Sequence, residues 1–317
     1  MDQADRHHSS RDSPRSSSPV TQRMLESRLT LNETSESTSD SSVILRNIMV
    51  PTGCHSPRLG RLYDAVMAFY LPLADGRFES TELTRGPWDA GAQHAGPPAA
   101  LLGRAVEAMA RPDMRVTRLT FDIARPVPIA PLTVTTEAVR EGRSVAVLRA
   151  AIEPYMRCTA VLIRTVENEV PRVGTAAVAR PEDAEDKPFF PVPYEVGYHT
   201  AMEVRFAAGS FLEHGPATAW MRMRVPLVEG ERPSPLSRVL AAADSGNGVS
   251  NVLDFDRYLF VNADLTVHLL RYPVGEWVCL DAATSIDSSG IGLADTALYD
   301  ERGRIGRGAQ SLFVARR

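Results

Sequence analysis

The stretch LTFDIARPV at residues 119–127 returns as LTVHLLRYPV at residues 265–274, an offset of 146 positions. In both copies apolar and polar residues alternate, and an Arg and a Pro end the run, which is the pattern of a strand. Gly142 and Gly290, 148 positions apart, each open a later strand. A slowly drifting offset is typical of a duplicated domain with small loop insertions, and chance likeness between strand-rich segments is the alternative.

Each copy has the same order of elements. The first has a short strand (76–83), a helix (97–109) and strands at about 114–124, 131–140, 143–153, 157–166 and 171–179. The second has a strand (220–226), a helix that Ser234 caps and Gly246 stops, and strands at about 257–270, 276–286, 290–299 and 304–314. One short strand, one Ala-rich helix and a run of long strands predict an α+β tandem (double) hotdog. In this fold antiparallel sheets wrap around a central helix in each half.

Composition divides the chain into four predicted segments. Residues 1–57 are Ser-rich with mixed charges and few large apolar side chains, which predicts a disordered tail. The first hotdog is predicted at 58–180 and the second at 195–317. Residues 181–194 hold four prolines and are interpreted as the linker between them.

Charge and cysteine content exclude several classes of protein. The net charge of −4 gives no basic excess for a nucleic-acid partner. Three distant cysteines exclude a disulfide framework and a Cys-rich zinc site, and they favour a reducing, cytoplasmic location. No run reaches the roughly 18 apolar residues of a membrane span. The histidines lack metal-ligand spacing, so neither a metal nor another cofactor is predicted.

Two polar residues of the second copy stand out. Asp244 follows three alanines in the last predicted turn of its helix, where the helix dipole disfavours an anion, although a solvated turn Asp is the alternative. Gln310 alternates with Gly308, Leu312 and Val314, so it faces the interior or water at a sheet edge. Ala160 stands at the equivalent place in the first copy, which predicts one active centre per chain.

The loop before the first helix holds further candidates for substrate binding. His94 precedes the helix start and can cap the helix, donate a hydrogen bond or act as a base. Gly96 allows close approach of the backbone, and Trp88 either shapes the entrance of a binding site or packs on the surface.

Several short motifs together resemble one family, the double-hotdog acyl-CoA thioesterases of the thioesterase II-like group. They lie at 86–89 (GPWD), 93–102 (QHAGPPAALL), 121–128 (FDIARPVP), 233–236 (PSPL), 243–248 (ADSGNG), 265–268 (LTVH), 275–278 (GEWV), 297–300 (ALYD) and 310–312 (QSL). The resemblance covers about residues 60–316. It implies hydrolysis of an acyl-CoA to a free acid and CoA without a metal.

The resemblance also implies site residues. In that family an Asp, a Gln and a Ser or Thr hydroxyl hold the hydrolytic water, and these positions fall on Asp244, Gln310 and Asn262. Asn262 departs from the hydroxyl pattern, and Thr266 is the nearest hydroxyl. Asp244 would act as the base, and backbone N–H groups near Gly96 or Gly246 would polarise the carbonyl.

Two other functions stay open. The first is a non-catalytic acyl- or CoA-binding hotdog protein, which the Asn262 departure favours. The second is a hydratase or dehydratase, which needs an Asp/His pair, and Asp89 with His94 is the pair that the sequence offers. The acyl group stays open, and so does pairing of two chains through their sheets.

Overall fold

A computed structural model describes residues 68–167, 170, 178–188 and 192–317. The predicted tail at 1–57 and most of the strand predicted at 171–179 lie outside the described residues.

The described elements follow the predicted order. The first copy contains β1 (Tyr70–Pro72), β2 (Phe78–Ser80), a 3-10 turn (Glu82–Thr84), α1 (Gly96–Met109), β3 (Met114–Ile123), β4 (Pro131–Leu132), β5 (Thr135–Glu141), β6 (Val145–Ile152) and β7 (Met156–Arg164). After a 3-10 turn (Pro181–Asp183), the second contains α2 (Tyr198–Ala201), β8 (Met202–Ala208), β9 (Ala217–Met223), α3 (Pro235–Ala243), α4 (Gly246–Val249), β10 (Tyr258–Asn262), β11 (Asp264–Leu269), β12 (Val278–Ile286), β13 (Ile291–Asp300) and β14 (Gly303–Arg316).

One antiparallel sheet joins the two copies. Among the described residues it has 11 strands in the order β5-β6-β7-β3-β11-β14-β13-β12-β9-β8, with β10 paired to the far end of β14. A three-stranded sheet, β1-β2-β4, lies apart from it. The helices α1 and α3 share a hydrophobic core with the large sheet. This architecture confirms the predicted double hotdog.

The seam between the copies explains the offset of 146. Strands β3 and β11 pair antiparallel, with Thr120 opposite Thr266, Leu119 opposite Val267 and Phe121 opposite Leu265. Exchanging residues 146 apart exchanges the last two pairs and leaves the Thr pair in place. A pseudo-two-fold axis therefore passes through the Thr120–Thr266 pair, as expected for two duplicated halves.

The two central helices meet at glycines. A Cβ at Gly96 would overlap the backbone oxygen of Ala241, and one at Gly103 would overlap the Leu240 side chain. The small residues of α1 thus let α3 approach closely, and the start of α1 comes to lie beside the end of α3. This contact brings residues of the first and second copies close together.

Gly96→Ala should therefore destabilise the protein. The added methyl group meets backbone, which cannot rotate away, so we expect the free energy of unfolding to fall by about 1–3 kcal/mol in urea titration. Gly248→Ala is the matched control because open space surrounds that position. Equal stability of the two variants would show that α1 and α3 can separate without cost.

Two local predictions are wrong. Gly246 does not stop the second helix: Asp244 caps α3 in right-handed helical conformation, and the chain continues into α4 from Gly246. The strand predicted at 257–270 is broken at Ala263, whose N–H donates to Ser311 O while Ser311 N–H donates to the Asp264 carboxylate. This break separates β10 from β11 and ends β10 at Asn262. Strand β8 was not predicted.

Candidate active site

A cavity of about 520 Å³ lies at the end of the helix pair and is lined by both halves. The first half contributes the loop 86–95 and residues 123–127, and the second contributes the end of α3, the segment after α4 and β10. The lining includes aromatic rings as well as carboxylate, amide and imidazole groups. The cavity therefore combines an apolar wall with a polar centre.

Asp244 is the centre of the polar side. The residue is 5 % exposed, because the short turn between α3 and α4 is covered by the sheet. Asn262 Nδ2 donates to its Oδ1 at 2.8 Å, and Gln310 Nε2 lies 3.4 Å from the same atom. His94 Nδ1 lies 3.0 Å from its Oδ2. Two amide N–H groups and an imidazole nitrogen therefore surround this buried carboxylate.

Gln310 holds the backbone of this turn. Its Nε2 donates to the Asp244 backbone oxygen at 3.0 Å, and its Oε1 accepts from the Asn247 N–H at 3.1 Å. A Cβ at Gly246 would overlap Thr296 Oγ1 and lie 2.9 Å from Gln310 Oε1, so the glycine lets the turn reach β14. Gln310 thus fixes the orientation of Asp244 from its position on β14.

The imidazole of His94 is fixed by a ring on the second half. It stacks on Tyr198 with ring centroids 3.7 Å apart and an angle of 4° between the planes. The Tyr198 hydroxyl donates to Ala241 O at 2.7 Å, so the hydroxyl of Ser245, 2.9 Å away, is the donor to Tyr198. The stack positions His94 against Asp244 across the boundary between the halves.

His94 Nδ1 faces two partners. The Gly96 N–H points at it from 3.1 Å, and the Asp244 carboxylate lies at 3.0 Å. One ring nitrogen has one in-plane position, so it either accepts from Gly96 or donates to Asp244. With Asp244 ionised, donation to the carboxylate is the favourable state. Burial lowers the pKa of His94 below its ordinary value against the opposing charge of Asp244, so the ring is neutral at pH 7.

The aromatic wall is built from three rings. Trp88 stacks on Phe255 at 4.7 Å and meets the edge of Phe260 at 5.0 Å. The Arg317 guanidinium lies over Trp88 and Phe255, at 5.3 and 4.8 Å from their centroids. Phe260 and Asn262 are two residues apart on β10, so they share a face about 7 Å apart. The wall therefore begins about one side chain away from the polar centre.

The structure places the residues singled out in the sequence as follows. Asp244, Gln310, Asn262 and His94 come together, and Trp88 lines the cavity. Gly96 and Gly246 are not cavity-lining residues and serve close packing instead. Thr266 lies at the seam, 3.4 Å from Thr120. The predicted pair of Asp89 with His94 is wrong: Asp89 accepts a hydrogen bond from the Gly91 N–H, and the acidic partner of His94 is Asp244.

Sequence reasoning missed several residues of the cavity. Phe260 could have been found, because it alternates with Asn262 on one strand face. Tyr198, Asn247 and Phe255 carry no such signal, because long-range packing brings them to the site.

In the part of the chain that the structure describes, no group of three His, Cys, Asp or Glu side chains could hold a metal ion. None of the described helices has the length and apolar character needed to span a bilayer.

Comparison with known proteins agrees with this architecture. A Thermobifida fusca protein assigned to thioesterase II is 18 % identical, with a TM-score of 0.60 over 80 % of this chain and 97 % of that one. A hot dog fold protein of Alicyclobacillus acidocaldarius is 20 % identical (TM-score 0.57, 76 % and 92 % covered). The acyl-CoA thioesterase II TesB2 of Mycobacterium marinum is 16 % identical (0.54, 78 % and 95 %). These similarities show the fold.

The family follows from the sequence models. A search of the curated proteins gives no significant match. The model of the acyl-CoA thioesterase N-terminal domain matches residues 84–163, and that of the C-terminal domain matches residues 181–314. Together they cover about two thirds of the chain and meet both halves of the cavity. The chain therefore belongs to the double-hotdog acyl-CoA thioesterase family and is a thioester hydrolase.

Proposed function

We propose that this protein hydrolyses an acyl-CoA to a free acid and CoA by direct attack of water, with no covalent intermediate. Asp244 is the centre of the group of residues that activates this water. The observation that carries the proposal is the convergence of Asn262, Gln310 and His94 on the Asp244 carboxylate at the cavity. Hydrolysis of a thioester needs a positioned water, a proton acceptor and a donor to the developing oxyanion.

Gln310 and Asn262 act in this proposal mainly by orienting Asp244. Both side chains donate to the Asp244 carboxylate or backbone, and Gln310 also binds the Asn247 N–H. An amide at position 262 supplies the donor that a hydroxyl would supply. The Asn262 departure from the family pattern is thus compatible with catalysis.

Attack by water, with no acyl-enzyme, is supported by the state of the available nucleophiles. The Ser245 hydroxyl donates to Tyr198 and has no base beside it among the described residues. Burial raises the pKa of Cys158 to about 12 and also raises the pKa of Cys279, so neither thiol forms a thiolate at neutral pH.

Asn247 is the proposed donor to the thioester carbonyl. Its side chain lines the cavity three residues after Asp244, and its amide has no hydrogen-bond partner among the described residues. Its backbone is fixed by Gln310. An amide N–H group that lies at the cavity without another partner can donate to the charge that develops on a carbonyl oxygen.

The decisive assay measures release of the CoA thiol by the full chain over short, medium and long acyl-CoAs. Turnover that depends on Asp244 supports the proposal. Tight binding of an acyl-CoA without release of thiol would instead identify an acyl- or CoA-binding protein.

A second candidate function has one specific observation in its favour. The His94–Asp244 pair is the Asp/His pair that addition of water to a 2-enoyl-CoA requires. A 2-enoyl-CoA is therefore included in the assay. Loss of its conjugated absorbance without release of thiol would favour a hydratase over a thioesterase.

Trp88→Ala tests whether the aromatic wall holds the acyl group. Loss of about 1.5 kcal/mol of apolar contact should raise KM about tenfold for acyl groups long enough to reach the wall, while acetyl-CoA is unaffected. Leu293→Ala, an exposed apolar residue of β13, is the control. An equal rise for acetyl-CoA would show that the wall contacts the CoA portion instead.

The cysteine content bears on the cellular location. The separated cysteines favour a reducing compartment, and we propose the cytoplasm, which fractionation of cells with an antibody against the chain would test.

A further inference from the structure

We propose that His94 is a catalytic residue: its Nε2 takes a proton from the attacking water and returns it to the departing CoA sulfur, while Asp244 acts through it. The inference rests on the proposed hydrolysis and names the atom that moves the proton. It goes beyond a role for His94 in lining the cavity or capping α1.

The geometry of the carboxylate is the first argument. Asp244 Oδ1 faces the amides of Asn262 and Gln310, and Oδ2 faces His94. Protein donors thus approach both carboxylate oxygens. The group beyond Oδ2, on the side of the cavity, is the imidazole.

The free ring nitrogen is the second argument. The side chain of His94 is 15 % exposed and lines the cavity, and its Nε2 has no hydrogen-bond partner among the described residues. The nitrogen without a protein partner is the one left to bind a molecule in the cavity. Here Nδ1 is bound and Nε2 is left to the cavity, which is the arrangement of a base oriented by a carboxylate.

The rigidity of the ring is the third argument. The near-parallel stack on Tyr198 fixes the plane of the imidazole, and the Tyr198 hydroxyl is itself bonded at Ala241 and Ser245. The ring therefore cannot turn without losing its stack on Tyr198. A fixed ring directs Nε2 to one point in the cavity, as positioning of a catalytic base requires.

The proposed step moves one proton of water through Nε2 to the CoA sulfur. The water oxygen forms a bond to the thioester carbon while Nε2 accepts one of its protons, and the carbonyl electron pair moves to oxygen. The tetrahedral intermediate re-forms the carbonyl and breaks the C–S bond. The imidazolium returns its proton to sulfur, so the products are the free acid and the CoA thiol.

The charge state of the ring fits this role. The groups facing His94 are the Asp244 carboxylate, the neutral Tyr198 ring and the Gly96 N–H. Burial lowers the pKa of His94, which keeps Nε2 unprotonated at pH 7. We therefore expect kcat/KM to be constant above about pH 6.5 and to fall at lower pH as the ring takes a proton.

The test uses the full chain and the variant His94→Asn. An Asn amide can still donate to Asp244 from near the Nδ1 position, but it has no group at Nε2 and cannot accept a proton. We expect kcat/KM to fall by about 10²–10⁴-fold with little change in KM, and the low-pH limb assigned to the ring to disappear. His94→Ala should regain activity with added imidazole, which a merely structural histidine would not show. His268→Asn, at an exposed residue of β11, is the matched control.

The outcomes separate this inference from the proposed function. One outcome would overturn the role of His94 alone: the wild-type chain releases thiol, Asp244→Asn is inactive, and His94→Asn keeps kcat/KM within threefold with the same low-pH limb. In that case His94 is not the base, and the proposed hydrolysis stands. If the wild-type chain releases no thiol from any acyl-CoA, the proposed function and this inference both fall. Melting curves of each variant show whether a loss reflects unfolding instead, and imidazole rescue of His94→Ala then decides.

Discussion

Replacing Asp244 by Asn is expected to lower kcat/KM by about 10⁴-fold while the fold is kept. The new side chain has the same shape and can still accept from Asn262 Nδ2 at its oxygen. Its NH₂ group, however, would donate to His94 Nδ1. This bond keeps Nδ1 unprotonated and places the proton of the His94 ring on Nε2. That ring cannot accept a proton from water, so the variant loses both the negative charge and the base.

The control for this experiment is Asp254→Asn. Asp254 also lines the cavity, and its Oδ1 accepts from the Asp256 N–H, a bond that Asn can keep. The same loss of charge at the cavity wall should leave kcat/KM within a few-fold. An Asp244→Asn variant with more than a tenth of the wild-type activity would contradict a role for Asp244 at the centre of the base.

Arg271→Ala is expected to cause the largest loss of stability. Asp300 is completely buried, and Arg271 binds it through two N–H···O contacts of 2.5 Å each. The N–H groups of Val274 and Arg302 complete its partners at 2.8 Å. Removing Arg271 leaves a buried charge without its counterion, and we expect the free energy of unfolding to fall by about 3–5 kcal/mol.

The pH dependence of this effect has a defined sign. Burial raises the pKa of Asp300, but Arg271 and the two N–H groups outweigh it, and the pKa lies below its ordinary value. Such a carboxylate contributes stability at neutral pH that is lost as the pH falls below about 4, toward the lower pKa of the folded state. Urea titrations at pH 7 and pH 4 measure this contribution.

A double variant distinguishes the pair from general damage. Arg271→Ala combined with Asp300→Asn removes both charges and should be more stable than Arg271→Ala alone, because no buried charge is left unpaired. A loss of under 1 kcal/mol in the single variant would show that water reaches Asp300 and replaces the arginine.

The fold could be predicted because its signals are local and occur twice. The repeated strand with its Arg and Pro, and the two Ala-rich helices with Pro in the first turn, are patterns of consecutive residues. Helix α3 begins at Pro235 with Ser234 as its cap, as the sequence indicated. Strands β1 and β8 and the break at Ala263 were not predicted. The bond that accompanies the break joins Ser311 and Asp264, which lie 47 positions apart.

The site was predictable in part for a similar reason. Asp244, Gln310 and Asn262 were named from the family resemblance, and the structure brings them together. The pairing of His94 with Asp244 joins residues of different halves, and no local pattern in either half encodes it. Tyr198, which holds the imidazole, sits on a four-residue helix that has no periodic signal.

The axis through Thr120 and Thr266 has a consequence for how this protein can evolve. Thr120 pairs with Thr159 and Thr266 pairs with Ala309, so Ala160 is the symmetry mate of Gln310. In a dimer of identical hotdogs every substitution occurs twice, once at each mate. In one continuous chain each half mutates alone, so one half could lose its glutamine and specialise in presenting His94 while the other kept the carboxylate. Fusion of the halves thus converts a symmetric assembly into an asymmetric enzyme with separately adjustable parts.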